Sequence, residues 1–239
     1  MPRHCRSLDQ FKALDWSEMR RSLDGSGYAI IPSIITPDQC RELAALYVDQ
    51  QHFRSRIVMK RHGFGSGEYQ YFDYPLPPLI SFLRHSLYPQ LAAIANDWSE
   101  RLGDPVRYPM MLAPFLERCH QAKQTRATPL LLQYQAGDYN CLHQDLYGEH
   151  LFPLQAAVLL SVPDVDFGGG EFVMTEYSSS SHRAEVVPLQ QGDAVIFGVQ
   201  SRPVAGRRGK SRKVFMRHGV SRITAGLRHT VGIIFHDSK

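Results

Sequence analysis

The sequence predicts an all-β core of jelly-roll type behind a helical N-terminal extension, and three observations carry that prediction. From about residue 128 the chain breaks into short β-type runs (PLLLQY, FPLQAAVLLSV, GEFVMTEY, AEVVPL, DAVIFGV, KVFMRHGVSRI and RHTVGIIFH) divided by turn residues at even spacing. That texture belongs to antiparallel sandwiches and barrels, and about seven or eight such strands with glycine-rich connections suit a jelly roll whose mouth can hold a ligand between its sheets. The first hundred residues instead carry helical spacing. A length of 239 residues at 43% hydrophobic composition can bury a sizeable core, which fits one compact unit.

In chain order, MPRHCRSLDQFKALDW lacks the apolar run of a signal peptide. GYAIIPSII then reads as a short strand, so the chain is expected to begin strand then helix. TPDQCRELAALYVDQQ has Thr36 as N-cap, Pro37 at the first helical position, and Leu43, Leu46 and Tyr47 at helical spacing. A second helix is expected in PLISFLRHSLYPQLAAIANDWSERLG, interrupted near Pro89 and stopped at Gly103. Between the helices, MKRHGFGSGEYQYFDYPLPP reads as a long loop rather than an element. The serines at 178–181 form a short loop between strands. The expected division is 1–105 as a mainly helical cover with a substrate loop and 106–239 as the β core.

Twenty-seven basic against 23 acidic side chains is too small an excess to predict a nucleic-acid partner from net charge, but it permits a local basic face. Cys5, Cys40, Cys119 and Cys141 show no Cys-x-x-Cys spacing, so a reducing cytoplasm is the expected compartment. No apolar stretch approaches the roughly 18 residues of a membrane span, and no membrane partner is expected.

The chemistry concentrates in two places. In YNCLHQDLYGEH, His143 and Asp145 stand two apart, and on a strand both aim to one face. A third ligand, His218, follows in FMRHGVSRITAGLRHTVGIIFHD. Two histidines and one carboxylate make the facial triad of non-haem Fe(II) oxygenases, with coordination positions left open. Arg228 adds a planar fork suited to the far carboxylate of a dicarboxylic acid. The turn TAG is expected to fold Arg228 back beside the strand of His218.

The surrounding segments carry a family resemblance. QYQAGDYNCLHQD resembles the Tyr-x-x-Gly segment leading into His-x-Asp in AlkB-type and prolyl-hydroxylase-type 2-oxoglutarate, Fe(II)-dependent dioxygenases. DFGGGEF looks like their Asp-x-x-Gly-Gly-Glu turn, PLQQGDAVIF is similar to their Gly-Asp strand, and HGVSRITAGLR resembles their distal histidine followed by the 2-oxoglutarate arginine. The order and spacing of the pieces, more than any one piece, make the resemblance specific. The full length further resembles a bacterial oxygenase family assigned to alkylated nucleic acid.

This resemblance implies a double-stranded β-helix with Fe(II), and with 2-oxoglutarate and dioxygen as co-substrates. His143, Asp145 and His218 would be the metal ligands and catalytic centre, and Arg228 would hold the 2-oxoglutarate C5 carboxylate. Tyr134 would hydrogen-bond the co-substrate, and Thr230, on Arg228's face by strand alternation, would assist. Ile234 stands where AlkB-type enzymes carry a second arginine, a departure toward the hydroxylase-like branch.

For the substrate, the basic stretch SRPVAGRRGKSRKVFMRHG is expected at the site's rim, where Arg207, Arg208, Lys210, Arg212 and Lys213 would meet phosphates. Tyr69 and Tyr71 either stack a base or pack the loop against the barrel. His150, Glu149, His229 and His236 are read as bystanders, Cys141 as a small buried residue beside His143, and Gly168–Gly170 as turn geometry. The function expected is hydroxylation of a C–H bond, with oxidative demethylation of alkylated nucleic acid as the leading form. Two alternatives stand: a hydroxylase of a protein side chain, amino acid or small metabolite, and a non-catalytic cupin-like metal-binding module.

Overall fold

The structure, a computed structural model, describes residue 11 and residues 14–146, 148–178, 181–206 and 210–239. Its helices are α1 (Trp16–Ser26), α2 (Pro37–Ala45), α3 (Pro78–Leu102) and α4 (Leu112–Gln121). The N-terminal strands are β1 (Tyr28–Ile31), β2 (Phe53–Val58), β3 (Gly65–Ser66) and β4 (Glu68–Phe72). Then come β5 (Leu130–Gln135), β6 (Tyr139–His143), β7 (Leu154–Leu159), β8 (Phe167–Gly169), β9 (Phe172–Ser178) and β10 (Ser181–Val187). The last four are β11 (Ala194–Gly198), β12 (Ser201–Ala205), β13 (Ser211–Val220) and β14 (Ile223–Ile233).

The strands form two antiparallel sheets. An eight-stranded sheet runs β1-β11-β7-β14-β5-β4-β2, with β8 paired to β14, and a six-stranded sheet runs β10-β9-β13-β6-β3, with β12 paired to β13. Strand alternation divides the large sheet's side chains between two cores. Leu154, Ala156, Val158, Ile196, Val231 and Ile233 face outward and pack under α3 with Leu83, Leu87, Leu91 and Trp98. Ala157, Leu159, Val195, Phe197 and Ile234 face inward, meeting Phe172, Met174, Met216 and Val220 of the small sheet. This is the jelly roll that the strand spacing predicts, with helices covering one outer face.

Local signals explain the helix ends. Thr36 accepts from Gln39 N while the Gln39 side chain accepts from Thr36 N, a reciprocal cap at the start of α2. Gly103, at φ 70°, closes α3 in the left-handed conformation.

Four expectations are corrected. The chain does not begin strand then helix: α1 precedes β1, capped by Asp15, which accepts from Ser17 N and Glu18 N. The stretch between the helices is not all loop, because β4 pairs with both β2 and β5 and so extends the large sheet. Pro89 does not interrupt α3, which runs unbroken from Pro78 to Leu102. Proline removes one backbone bond, but Leu87, Tyr88, Leu91 and Ala92 are buried on either side of it, and their packing holds the helix together. Finally, TAG is not a turn and Arg228 does not lie beside His218's strand. Thr224–Gly226 lie inside β14, which bulges against β8, and the chain crosses from the small sheet to the large one between Val220 and Ile223.

Candidate metal and co-substrate site

The interior of the jelly roll holds a cavity of about 200 Å³ lined by His143, Asp145, His218, Arg228, Thr230 and Tyr134 among others. The two histidines come from paired strands, with His218 directly opposite His143 in the β13–β6 register and their rings 4.2 Å apart. Asp145 follows the end of β6, and its two oxygens face one histidine each, 3.4 Å from His143 Nε2 and 3.4 Å from His218 Nε2. The ligand atoms of the three lie within 4.8 Å of one another; two ligands on one ion at about 2.0–2.2 Å stand at most about 4.4 Å apart, so a small inward shift of the side chains closes them on a metal.

The hydrogen bonds prepare these groups as ligands. His143 Nδ1 is 2.8 Å from the Cys141 carbonyl; donating there turns the ring so that Nε2, the atom that would ligate a metal, lies toward Asp145. Burial alone would raise the Asp145 carboxyl, but hydrogen bonds and charge from the two histidines outweigh it and hold the group well below the usual carboxylate range. His218 is pushed down by burial and by the charge of His143. His143 moves up, because Asp145 more than offsets the effect of burial. A carboxylate kept ionised between two imidazoles fits a divalent cation.

Arg228, on β14, is 1% exposed. Its Nη1 donates to Thr230 Oγ1 at 2.6 Å, while its Nε has no hydrogen-bond partner among the described residues. Burial lowers its pKa to about 10, against the pull of Tyr134 and Glu171, so the group remains a cation at neutral pH. The other deeply buried arginines carry carboxylates: Arg84 pairs with Asp237 at 2.8 Å and Arg202 with Glu176. No carboxylate among the described residues lies within salt-bridge distance of Arg228. A buried guanidinium without a counter-ion is costly, and its surroundings therefore suit an incoming anion. Tyr134 faces Arg228 across the β14–β5 register, with its ring centroid 5.8 Å from the guanidinium carbon. Gly170 gives this pair room: at φ +66°, a Cβ there would stand 3.0 Å from Arg228 Cδ and closer still to Ile223 Cδ1.

The remaining predicted residues separate. Tyr69 and Tyr71 line the cavity, their rings edge to face at 5.3 Å, and Arg54 lies 4.4 Å from the centre of the Tyr71 ring. Arg207 and Arg208 lie outside the described residues. Lys210, Arg212 and Lys213 are exposed, and the start of their strand is distant from the triad: seven residues of strand separate Ser211 from His218, about 23 Å. Lys213 alone of these three lines a second cleft, which shares Asp145 and Leu146 with the main cavity. Arg202, in the same stretch, is 3% exposed and tied to Glu176 and the Gly25 carbonyl, a structural role. His229 points away from the cavity toward Gln133, 2.9 Å distant.

Of the lining residues that escaped the sequence reading, two polar ones matter for the chemistry. A bulge puts four residues of β6 (Asn140 to His143) against three of β13 (His218 to Val220), so Asn140 rather than Cys141 joins His143 in the lining; nothing in the sequence signals it. The other is Gln155, whose signal was available as a lone polar residue within the apolar run LQAAVL.

Comparison with known proteins places this geometry. The fold is shared with a prolyl-4-hydroxylase of Pseudomonas putida (TM-score 0.56, 15% identity, 94% of this chain and 99% of that one). It is shared also with a prolyl hydroxylase of Trichoplax adhaerens solved with a peptide of hypoxia inducible factor (0.55, 13%, 97% and 92%). A third is HygX of Streptomyces hygroscopicus, solved with nickel and 2-oxoglutarate (0.50, 16%, 90% and 85%). The fold is that of Fe(II)- and 2-oxoglutarate-dependent oxygenases, and in it His143, Asp145 and His218 form a cluster that could hold a metal ion. The chain belongs to the family Oxygenase-NA, described as "Oxygenase, catalysing oxidative methylation of damaged DNA", whose sequence pattern matches residues 67–238. Uncharacterized proteins of two Mycobacterium tuberculosis strains are 44% identical to it over 168 residues, 70% of this chain and 72% of theirs. No helix among the described residues is long and apolar enough to cross a membrane.

Proposed function

We propose that the chain oxidises N-alkyl groups on damaged nucleic acid, with His143, Asp145 and His218 holding Fe(II) and Arg228 holding the far carboxylate of 2-oxoglutarate. The observation that carries the reading is one cavity lined both by a buried guanidinium with no carboxylate partner among the described residues and by a two-imidazole, one-carboxylate cluster. Bound iron would supply activation of dioxygen at the expense of 2-oxoglutarate, which leaves as succinate and carbon dioxide.

The chain's own residues supply the positioning. Arg228, with Thr230 beside it, fixes the co-substrate's distal end, and the buried Tyr134 with the partly buried Leu132 excludes water. Asp145, held ionised, balances the metal's charge, and the Cys141 carbonyl keeps the His143 ring turned for ligation. Hydroxylation of an N-methyl carbon gives a hemiaminal, which breaks at the C–N bond to release formaldehyde and the restored base.

Damaged nucleic acid as the substrate is supported by the family description and by the cleft at Asp145 and Leu146, which extends from the main cavity past Lys213 and so offers a polymer backbone a path across the mouth. Residues 1–105 and 106–239 act in this reading as one unit, since Tyr69 and Tyr71 of the first part line the cavity of the second. The test is a substrate panel: methylated single- and double-stranded oligonucleotides, proline-containing peptides and free amino acids, each scored for product by mass spectrometry. Formaldehyde and restored base from the oligonucleotides are the expected outcome. Hydroxylated peptide or amino acid with untouched oligonucleotide would assign the site to a hydroxylase instead.

A further inference from the structure

Gln155 is a polar group of the cavity that the proposed mechanism does not use. It lies on β7, where all six residues are buried; it is 4% exposed, it lines the same cavity as the triad, and its Nε2 has no hydrogen-bond partner among the described residues. Leaving such a donor unmade costs about as much as a hydrogen bond contributes, and a methionine or leucine of similar size would avoid the cost. The partner is therefore something that enters the cavity.

Strand register says which end of the cavity it serves. Gln155 stands opposite Phe197 on β11, and the Phe197 ring packs 4.6 Å from the ring of His218. On its other side the β7–β14 register, with Ala156 opposite Ile233, runs on to place Gln155 beside Ile234. Ile234 is six residues along the chain from Arg228, about 20 Å of extended strand. Gln155 thus sits at the metal end, far from the guanidinium that would anchor the co-substrate.

We propose that the Gln155 carboxamide reads the polar edge of the base presented to the triad, which makes it a specificity-determining residue; the inference rests on the nucleic-acid reading above. A carboxamide offers one donor and one acceptor side by side in a plane, and a half-turn of the side chain exchanges them. That pattern complements the edge of a nucleobase, and a base brought out of its stack into a pocket is read at its edge by such groups. The aromatic residues Phe197 and Tyr71 line the same cavity.

The experiment uses Gln155→Met, which keeps length and volume but deletes both polar atoms, and Gln155→Glu, which keeps shape but replaces the donor with an acceptor. Fluorescence anisotropy on the metal-free protein compares a single-stranded oligonucleotide carrying one N-methylated adenine or cytosine with its unmodified twin. Calorimetry on Mn(II)-loaded protein measures 2-oxoglutarate affinity. Wild type is expected to prefer the methylated strand, and both variants to lose about tenfold or more of that preference, with unmodified-strand and 2-oxoglutarate affinities unchanged. If Gln155→Met does not fold, Gln155→Glu decides by the same readouts. Weakened 2-oxoglutarate binding with the strand preference intact would make Gln155 a co-substrate ligand and overturn the inference, as would variants identical to wild type. A wild type that binds both strands without preference overturns this inference alone; one that binds neither overturns the nucleic-acid reading with it.

Discussion

Arg228 decides more of this site than any other residue. Its partners Thr230 and Tyr134 satisfy part of the guanidinium and neutralise none of it. Arg228→Met is accordingly expected to raise the apparent 2-oxoglutarate KM by the cost of leaving a carboxylate without its charged partner, about 2 to 5 kcal/mol, while iron affinity changes little; unchanged co-substrate affinity in a titration would refute the assignment. Gly170→Ala should act in the same direction and more weakly. A methyl group there must displace Arg228 Cδ or Ile223 and also adopt a positive φ; it is checked by the same titration alongside a melting curve.

Among the elements, the loop after β6 carries the heaviest demand, because Asp145 lies in it rather than on a strand. The loop is held from outside by Gln124, which is fully buried. Its Oε1 accepts from Glu149 N at 2.9 Å and His150 N at 2.8 Å, and its Nε2 donates to the carbonyls of His150 at 3.1 Å and Asp237 at 2.6 Å. Gln124→Ala frees four backbone groups at once. It should destabilise the fold by on the order of 2 kcal/mol and weaken divalent-metal binding about tenfold, measured by denaturant melts and Mn(II) titration; full metal affinity would show that Asp145 is positioned without the clamp. Elements of this kind mark the limit of what the sequence makes legible. The short β-type runs of β5, β7, β9, β11 and β13, the Thr36 cap and the Gly103 stop are local signals and read directly. So do the triad of His143, Asp145 and His218 and, with it, Arg228, because they lie in recognisable surroundings. The β6 bulge that brings in Asn140, the sheet crossing before β14 and the continuity of α3 through Pro89 depend on pairing and packing between distant segments, which no local window contains.

For the whole molecule, the C-terminal segment locks the helices to the jelly roll through a buried polar network: Arg84 to Asp237, Tyr74 to both, and Thr128 to the His236 carbonyl. His236 is fully buried in it, and burial together with the charge of Arg84 lowers its pKa to about 4. An unfolded histidine titrates near 6.5, so between about pH 6.5 and 4 the unfolded chain binds the proton that the native one refuses. Stability is then full above that window and falls as pH drops through it, by on the order of 3 kcal/mol. Wild type and His236→Asn, compared by urea melts from pH 7 to 4, should differ in slope across that window, and parallel curves would exclude His236 as the cause. The central claim, that one cavity couples a metal triad to 2-oxoglutarate, is tested most directly by quantifying succinate formed from 2-oxoglutarate under Fe(II) and air by wild type and by His143→Ala, Asp145→Ala and His218→Ala. The account predicts succinate from wild type and none from any of the three, each with a metal-free melting curve showing a folded protein; near-wild-type succinate from any one of them, or none from wild type, would contradict it.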